Sequence, residues 1–444
     1  MSNVYETYVD VDEKWVSKIP SHWQMKRLKA IFAMRKEKNN PVVTDNILSL
    51  TAKQGVVPYA EKEGAGGNKP KSDMTQYNIA HENDLLVNCM NVVSGAAGVS
   101  RYYGAISPVY YALYPHNDEN VWYYHHIFRL MPFQRSLVGL GKGILMHESD
   151  EGTLTSVRMR ISMDYLGNVL LPVPPRDEQD QIVKYLNWKV SEINRLIKFR
   201  KKELVTLVEL KKKLISDTIT KGIDADVKHK MTFIRWIGEI PEHWEIIKAK
   251  KVIKITNGSD PKSKGEIPVY GSGGAFKTCG EYKEPPVVLL GRKGTLDKPQ
   301  YIVDRYWNVD TAFDVREKSG RINLKYYYYC AFLFDYGYYM TQTALPSMTQ
   351  TDYGNMYIPL PPLDEQGKIV EVIEKRLSAL SKLMDAKEEI IKELADLKNR
   401  VISDVVTGAI DVRNVKIPDY EIVDDNEESS DDEDLGDESL DEEV

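Results

Sequence analysis

Two stretches of the chain place apolar residues at alternating intervals of four and three, the spacing of a helix that packs along one seam. In the first, the seam positions are Leu186, Val190, Ile193, Ile197, Arg200, Leu204, Leu207, Lys211, Leu214 and Thr218. In the second they are Ile373, Leu377, Leu380, Met384, Lys387, Ile391, Leu394, Lys398, Val401 and Val405, each 187 positions after its counterpart. Neither stretch contains proline, and Gly367 alone interrupts the second with glycine. Each therefore reads as one helix of about 43 residues, roughly 65 Å long at the helical rise. Pro174-Pro175 and Pro361-Pro362 suit the approach to such a helix and not its interior. Asp177 and Asp364 are the expected N-caps, and Gly222 and Gly408 mark the expected ends. A basic residue recurs at the same two seam positions, Arg200 with Lys387 and Lys211 with Lys398. It either sets the register or lies at the seam edge with its charge in water. The shared register predicts that the two helices pack on each other, antiparallel, about a pseudo-twofold axis. Two unrelated amphipathic helices, each on its own domain, are the plainer alternative.

The repetition extends beyond the helices. "LPVPPRDEQDQIV" from Leu171 returns as "IPLPPLDEQGKIV" from Ile358, and "TITKGID", ending at Asp224, as "VVTGAID", ending at Asp411. Upstream, "IPSHW" at 19–23 returns as "IPEHW" at 240–244. Between opening and helix lie two blocks unlike in sequence and in length, 155 positions from Ile19 to Pro174 and 121 from Ile240 to Pro361. In the first, "NILSL", "DLLVNCM" and "YYGAISPVYYALYP" predict strands and "NVWYYHHIFRLMPFQRSL" a helical stretch. In the second, which contains "IPVYGSGGAFKTCGEY", "VVLL" predicts a strand, and "YYYYC" at 326–330 reads as a half-buried strand or amphipathic helix. The framework repeats and the inserts do not.

Composition adds boundaries. A chain of 444 residues with 42% apolar residues is too long for one core and rich enough for two or more. No apolar run approaches a membrane span, and the N-terminus has no signal-peptide pattern. Cys89, Cys279 and Cys330 are far apart and read as reduced structural thiols. The net charge of −7 is misleading, because residues 421–444 hold 14 of the 66 acidic residues and no basic one. The remainder has 59 basic residues against 52 acidic, a mildly basic body that permits contact with a polyanion.

Two IPxHW openings, two unlike blocks and two PPxDEQ helices resemble, over about residues 15 to 411, the specificity subunit of a type I restriction–modification system. The resemblance implies an α+β fold, with two α/β target-recognition domains in pseudo-twofold symmetry joined by two long helices packed as an antiparallel coiled coil. It divides the chain into a first target-recognition domain over 1–170, a first spacer helix over 171–224, a second target-recognition domain over 225–357 and a second spacer helix over 358–412. An acidic tail, expected to be disordered, fills 413–444. It further implies that each domain reads one half of a bipartite, asymmetric double-stranded DNA target. The coil would set the spacer and dock two modification subunits, and restriction subunits that translocate and cut DNA would join them. S-adenosylmethionine would belong to the modification subunits, which methylate adenine, and ATP with Mg2+ to the restriction subunits. This chain would bind no cofactor or metal and would act in the cytoplasm.

The candidate DNA contacts lie in polar loops of the two blocks. In the first they are Lys69 and Lys71, suited to phosphates, with Asn88, Asn91, Arg101 and Lys142; Asn and Arg can bond adenine or guanine edges bidentately. In the second they are Lys262, Lys264, Ser272, the "GRKGT" residues Arg292, Lys293 and Thr295, and then Ser347 and Gln350. Ordinary turns and a solvated basic hairpin are the plainer reading of the same residues. The chain has no GxxxxGK[ST] loop and no asparagine-proline-proline-aromatic segment. His125-His126 and His147-Glu148 are the local candidates for acid–base chemistry and read as structural. His22 with Trp23, and His243 with Trp244, read as a lock at the start of each domain. A non-catalytic reader of DNA accounts for all of this. The alternatives are a coiled-coil protein scaffold without DNA specificity and a standalone hydrolase.

Overall fold

The computed structural model describes residues 4–51, 55–62, 70, 73–148, 154–341 and 345–423, with the backbone alone for 142–148 and 154–159. The proline pairs lead directly into helices of 46 residues, Arg176–Lys221, and 44 residues, Leu363–Val406. Both begin two residues earlier than N-caps at the aspartates would place them. Pro175 O accepts from the amides of Glu178 and Gln179 at 3.0 Å each, and Pro362 O from Gln366 N at 3.0 Å. Proline fits there because its fixed φ and missing N–H suit a helix entrance. Asp177 and Asp364 instead sit inside the first turn, at the positive end of the helix dipole. Gly222 and Gly408 follow the helix ends at φ +78° and +76°, left-handed values that favour glycine.

The chain forms two compact units, residues 1–200 with 390–444, and residues 201–389. Each unit combines the N-terminal half of one long helix with the C-terminal half of the other. In the first, Lys398 Nζ donates to Asn194 Oδ1 at 3.3 Å while Gln181 reaches past the second helix to Val412 O at 3.0 Å. In the second, Lys387 Nζ pairs with Glu203 Oε2 at 2.9 Å, while Ile215 and Ile219 share a core with Ile369 and Ile373. Numbering rises along one helix as it falls along the other, so the pairing is antiparallel in both. Every predicted seam position is buried or half-buried.

The two unlike blocks share one topology. The first unit has a four-stranded antiparallel sheet in the order Phe32–Met34, Tyr110–Pro115, Leu85–Asn88, Ala97–Val99. The second has Ile253–Asn257, Ala312–Glu317, Val287–Gly291, Gln300–Ile302, the same order of chain positions. Beside it, Ile47–Thr51 pairs antiparallel with Gly55–Pro58 and parallel with Gly104–Ile106, as Ile267–Gly271 does with Gly274–Cys279 and Trp307–Asn308. Alternation of apolar residues fails along Leu85–Asn88 and Val287–Gly291 because both are buried on both faces. The first unit also carries a hairpin, Lys142–Glu148 with Leu154–Arg160. "YYYYC" lies in the helix Leu324–Ala331, with Tyr326, Tyr327, Tyr329 and Cys330 buried.

The repeated motifs meet in space. Glu178 accepts from Trp23 Nε1 at 3.1 Å, from His22 Nε2 at 2.8 Å and from the Tyr5 hydroxyl. Glu365 accepts from Trp244 Nε1 at 3.1 Å and His243 Nε2 at 2.9 Å. Burial first, then the Glu178 carboxylate, push the Tyr5 phenol up. The neighbouring glutamines tie the helix start to the sheet domain. Gln179 Oε1 accepts from Asn120 N at 2.8 Å and Gln366 Oε1 from Asn323 N at 2.7 Å, each at the N-cap of the short helix of its unit. Thus the lock expected of IPxHW is a bond network to the DEQ motif, and its histidines hold structure. Among the described residues, no helix is long and apolar enough to cross a membrane.

Candidate nucleic-acid interface

In the second unit, the buried strand Val287–Gly291 delivers Arg292 and Lys293 at its exit. A Cβ on Gly291 would lie 2.0 Å from Thr295 O, so the chain can fold back here only on glycine. Three backbone bonds fix the turn. Arg292 N donates to Thr311 O at 2.7 Å, Gly294 N to Pro346 O at 2.9 Å, and Met348 N to Arg292 O at 3.0 Å. They bring Ser347 into a bridge with Lys293. The Ser272 Oγ lies 3.5 Å from where a Gly294 Cβ would be, and Thr295 Oγ1 3.8 Å from the same point on Gly273. Five residues from three distant segments, Ser272, Arg292, Lys293, Thr295 and Ser347, therefore form one edge.

Gln350 adjoins this edge, opening the helix Gln350–Asn355 and donating to Asn257 Oδ1 at 2.8 Å. Arg292 Nη1 lies 3.4 Å from Asp310 Oδ2, a half-exposed pair that costs little to break. Lys293 is exposed. The edge can therefore present a planar guanidinium, an ammonium, hydroxyls and an amide to phosphates or base edges. Lys262 and Lys264 lie elsewhere, at the Ile267/Cys279 end of the hairpin, where Glu281 accepts from Lys262 N at 2.7 Å. Ser272 is at its opposite end.

The first unit has the same turn in other residues. Strand Leu85–Asn88 exits into Cys89, Met90 and Asn91, and Ile161 N donates to Cys89 O at 3.0 Å, the counterpart of Met348 to Arg292. Asn88 is nearly buried, and its Oδ1 accepts from Met90 N at 3.0 Å, so its amide is used to shape the turn. Asn91 is exposed at the tip. Lys142 enters the hairpin opposite Arg160, whose neighbour Ile161 bonds Cys89; its side chain is not among those described. Arg101 stands past the other end of strand Ala97–Val99, its guanidinium 5.5 Å from the Trp122 ring. Lys69 and Lys71 lie outside the described residues.

Some residues of these edges escaped sequence reading. Arg160 is exposed beside the Asn91 turn, and the strand Gly274–Cys279 exposes Ala275 to Thr278 in succession, including Phe276 and Lys277. "GGAFKTCG" offered a hint in its single cation amid small residues, but nothing local marks a strand exposed on both faces. His125 and His126 belong to the helix Val121–Phe128; burial is the first cause that lowers both, His126 to about 4. Among the described residues no group of three or more His, Cys, Asp or Glu is placed to hold a metal ion.

Residues 241–395 match the family model of the type I restriction modification DNA specificity domain. Two proteins of Methanocaldococcus jannaschii are similar to the chain. The putative type I restriction enzyme MjaX specificity subunit is 28% identical over 286 residues, 57% of this chain and 62% of that protein. The type I restriction enzyme MjaVIII specificity subunit is 27% identical over 281 residues, 56% of this chain and 64% of that protein. The match thus spans less than two thirds of the length of these relatives. In fold, the chain is similar to a structure of a type I R-M system described for its complex assembly and conformational transition, with a TM-score of 0.66 over 88% of this chain and 99% of that one at 14% identity. It is also similar to the HsdS subunit from Thermoanaerobacter tengcongensis, with a TM-score of 0.51 over 88% and 98% at 14% identity.

Proposed function

We propose that the chain belongs to the specificity subunits of type I restriction–modification systems and is the non-catalytic DNA reader of such a complex; the matches to the family model and to two such subunits support this. One observation carries the reading. Two sheets of the same strand order present chemically different turns at the same exit, Cys89-Met90-Asn91 in one unit and Arg292-Lys293-Gly294 in the other. A common frame with unlike side chains is what an asymmetric target of two halves requires. In this proposal each unit reads one half-site, Asn91 favouring an adenine edge and Arg292 a guanine edge or phosphate.

The antiparallel helices are proposed to set the spacer and dock two modification subunits, which carry S-adenosylmethionine and methylate adenine. Support comes from apolar residues on their outer faces. Leu383, Ile390 and Leu397 follow one another at heptad spacing and are 45%, 38% and 43% exposed; Leu196 and Leu210, the repeat mates of Leu383 and Leu397, are 48% and 45% exposed. Apolar positions of that kind call for a partner surface. Restriction subunits with ATP and Mg2+, and a cytoplasmic location, complete the proposal. The chain with its modification subunit, titrated with double-stranded DNA carrying the target, tests it against a DNA-blind scaffold. Affinity falling steeply with salt, and stronger for target than for scrambled DNA, supports the reader. Affinity indifferent to sequence leaves the scaffold.

A further inference from the structure

After the second long helix the chain stays on the first unit. Arg413 Nη2 pairs with Asp411 Oδ2 at 2.7 Å and Arg413 Cζ lies 4.8 Å from the Tyr5 ring centroid. Gln181, on the first long helix, donates to Val412 O at 3.0 Å and Val415 O at 2.8 Å. Further along the same helix, Asn194 Nδ2 donates to Val423 O at 2.9 Å, and Ser191 Oγ accepts from Val423 N at 3.3 Å. Arg195 reaches the Glu421 carbonyl at 3.4 Å and its carboxylate at 3.7 Å. Residues 412–423 are thus a strap running along the helix from Gln181 toward Asn194. It leaves Ser191 and Asn194 only 4% and 7% exposed.

The strap has a heading. Beyond Val423 come residues 424–444, with 13 carboxylates and no cation. From Arg195, its last anchor on the helix, runs "RLIKFR", 195–200, with three cations and no anion, followed by Lys201 and Lys202. We propose that residues 424–444 are an intramolecular ligand of this basic stretch, centred on Arg195 and Lys198, with the strap as their tether. Twenty-one residues span up to roughly 70 Å extended, against roughly 8 Å of helix between residues 195 and 200. Tethering gives the tail an effective concentration on the order of millimolar. The attraction between exposed charges weakens as the Debye length shrinks from about 8 Å at physiological salt to about 3 Å at 1 M. At low salt the tail then shields this surface from other polyanions. The inference does not depend on what the chain reads.

Carbodiimide coupling of the full chain, followed by peptide mass spectrometry, tests it. At about 50 mM salt, carboxylates of 424–444 should couple to Lys198, and the yield should fall several-fold at about 0.5 M. Arg195→Glu, an exposed change that keeps Lys198 as reporter, should lower the yield several-fold at low salt. Replacing Asp431, Asp432, Glu433 and Asp434 by their amides should do the same. Coupling that is spread over exposed lysines such as Lys254 and Lys298, or is unchanged in both variants, overturns the proposal.

Discussion

Trp244 donates its indole N–H to Glu365 at 3.1 Å, and Trp23 donates to Glu178 at the same distance. The partners are 121 and 155 positions apart, so one contact closes each unit across its whole insert. The two are not equal. Glu178 is 4% exposed and also holds Tyr5 and His22, whereas the Glu365 side chain is 21% exposed and holds His243. Removing a buried carboxylate orphans its donors. Glu178→Ala should cost about 3 kcal/mol and Glu365→Ala about 2 kcal/mol. Urea denaturation followed by tryptophan fluorescence reads both; equal, negligible losses would show that the contact does not hold the units closed.

The seam makes a second prediction. Lys387 and Glu203 meet at 2.9 Å with side chains 15% and 30% exposed. Lys387→Glu places like charges together and should cost about 2 kcal/mol, while Lys387→Glu with Glu203→Lys should recover most of it. A coupling energy near zero in that cycle would mean a different register.

Acid should weaken the first unit through His125 and His126. Burial, and then neighbouring positive charge, hold His126 near a pKa of about 4 and depress His125. The unfolded chain takes up protons below about pH 6.5 while the folded chain does not, so their contribution is whole above 6.5 and is lost toward 4. Stability should fall over that window, and less steeply in His126→Leu. Parallel slopes for the two proteins would remove His126 as the cause.

The turn at Gly291 can be probed without touching a charge. Gly291→Ala forces a Cβ to within 2.0 Å of Thr295 O and should displace Arg292 and Lys293, lowering DNA affinity at least tenfold with the long helices intact by circular dichroism. Lys293→Ala should instead weaken binding to all sequences alike and reduce the salt slope by about 1. Full affinity in Gly291→Ala would move the contact elsewhere.

How much of this was legible depended on periodicity. The seam could be read because four-three spacing persists across heptads and recurs at a fixed offset, and each of its positions is buried or half-buried. The role of His22 and Trp23 followed from recurrence alone, but their partner Glu178 did not, since nothing local links residues 155 apart. The shared strand order of the two blocks was hidden because a sheet needs burial and hydrogen bonding, which many sequences satisfy. The edge was partly legible. Glycine-flanked cations flagged Arg292 and Lys293, whereas Arg160 and Lys277 sit on strands whose exposure only the tertiary pairing decides.

The most direct test is a methylation map of genomic DNA from cells holding this chain and the proposed modification subunit, compared with cells lacking the chain and with cells carrying Arg292→Ala. The account predicts a bipartite motif with methyladenine in both halves, absent without the chain, and altered by Arg292→Ala in one half only. No motif from an assembled complex, or a change in both halves at once, would contradict the claim that each unit reads its own half-site.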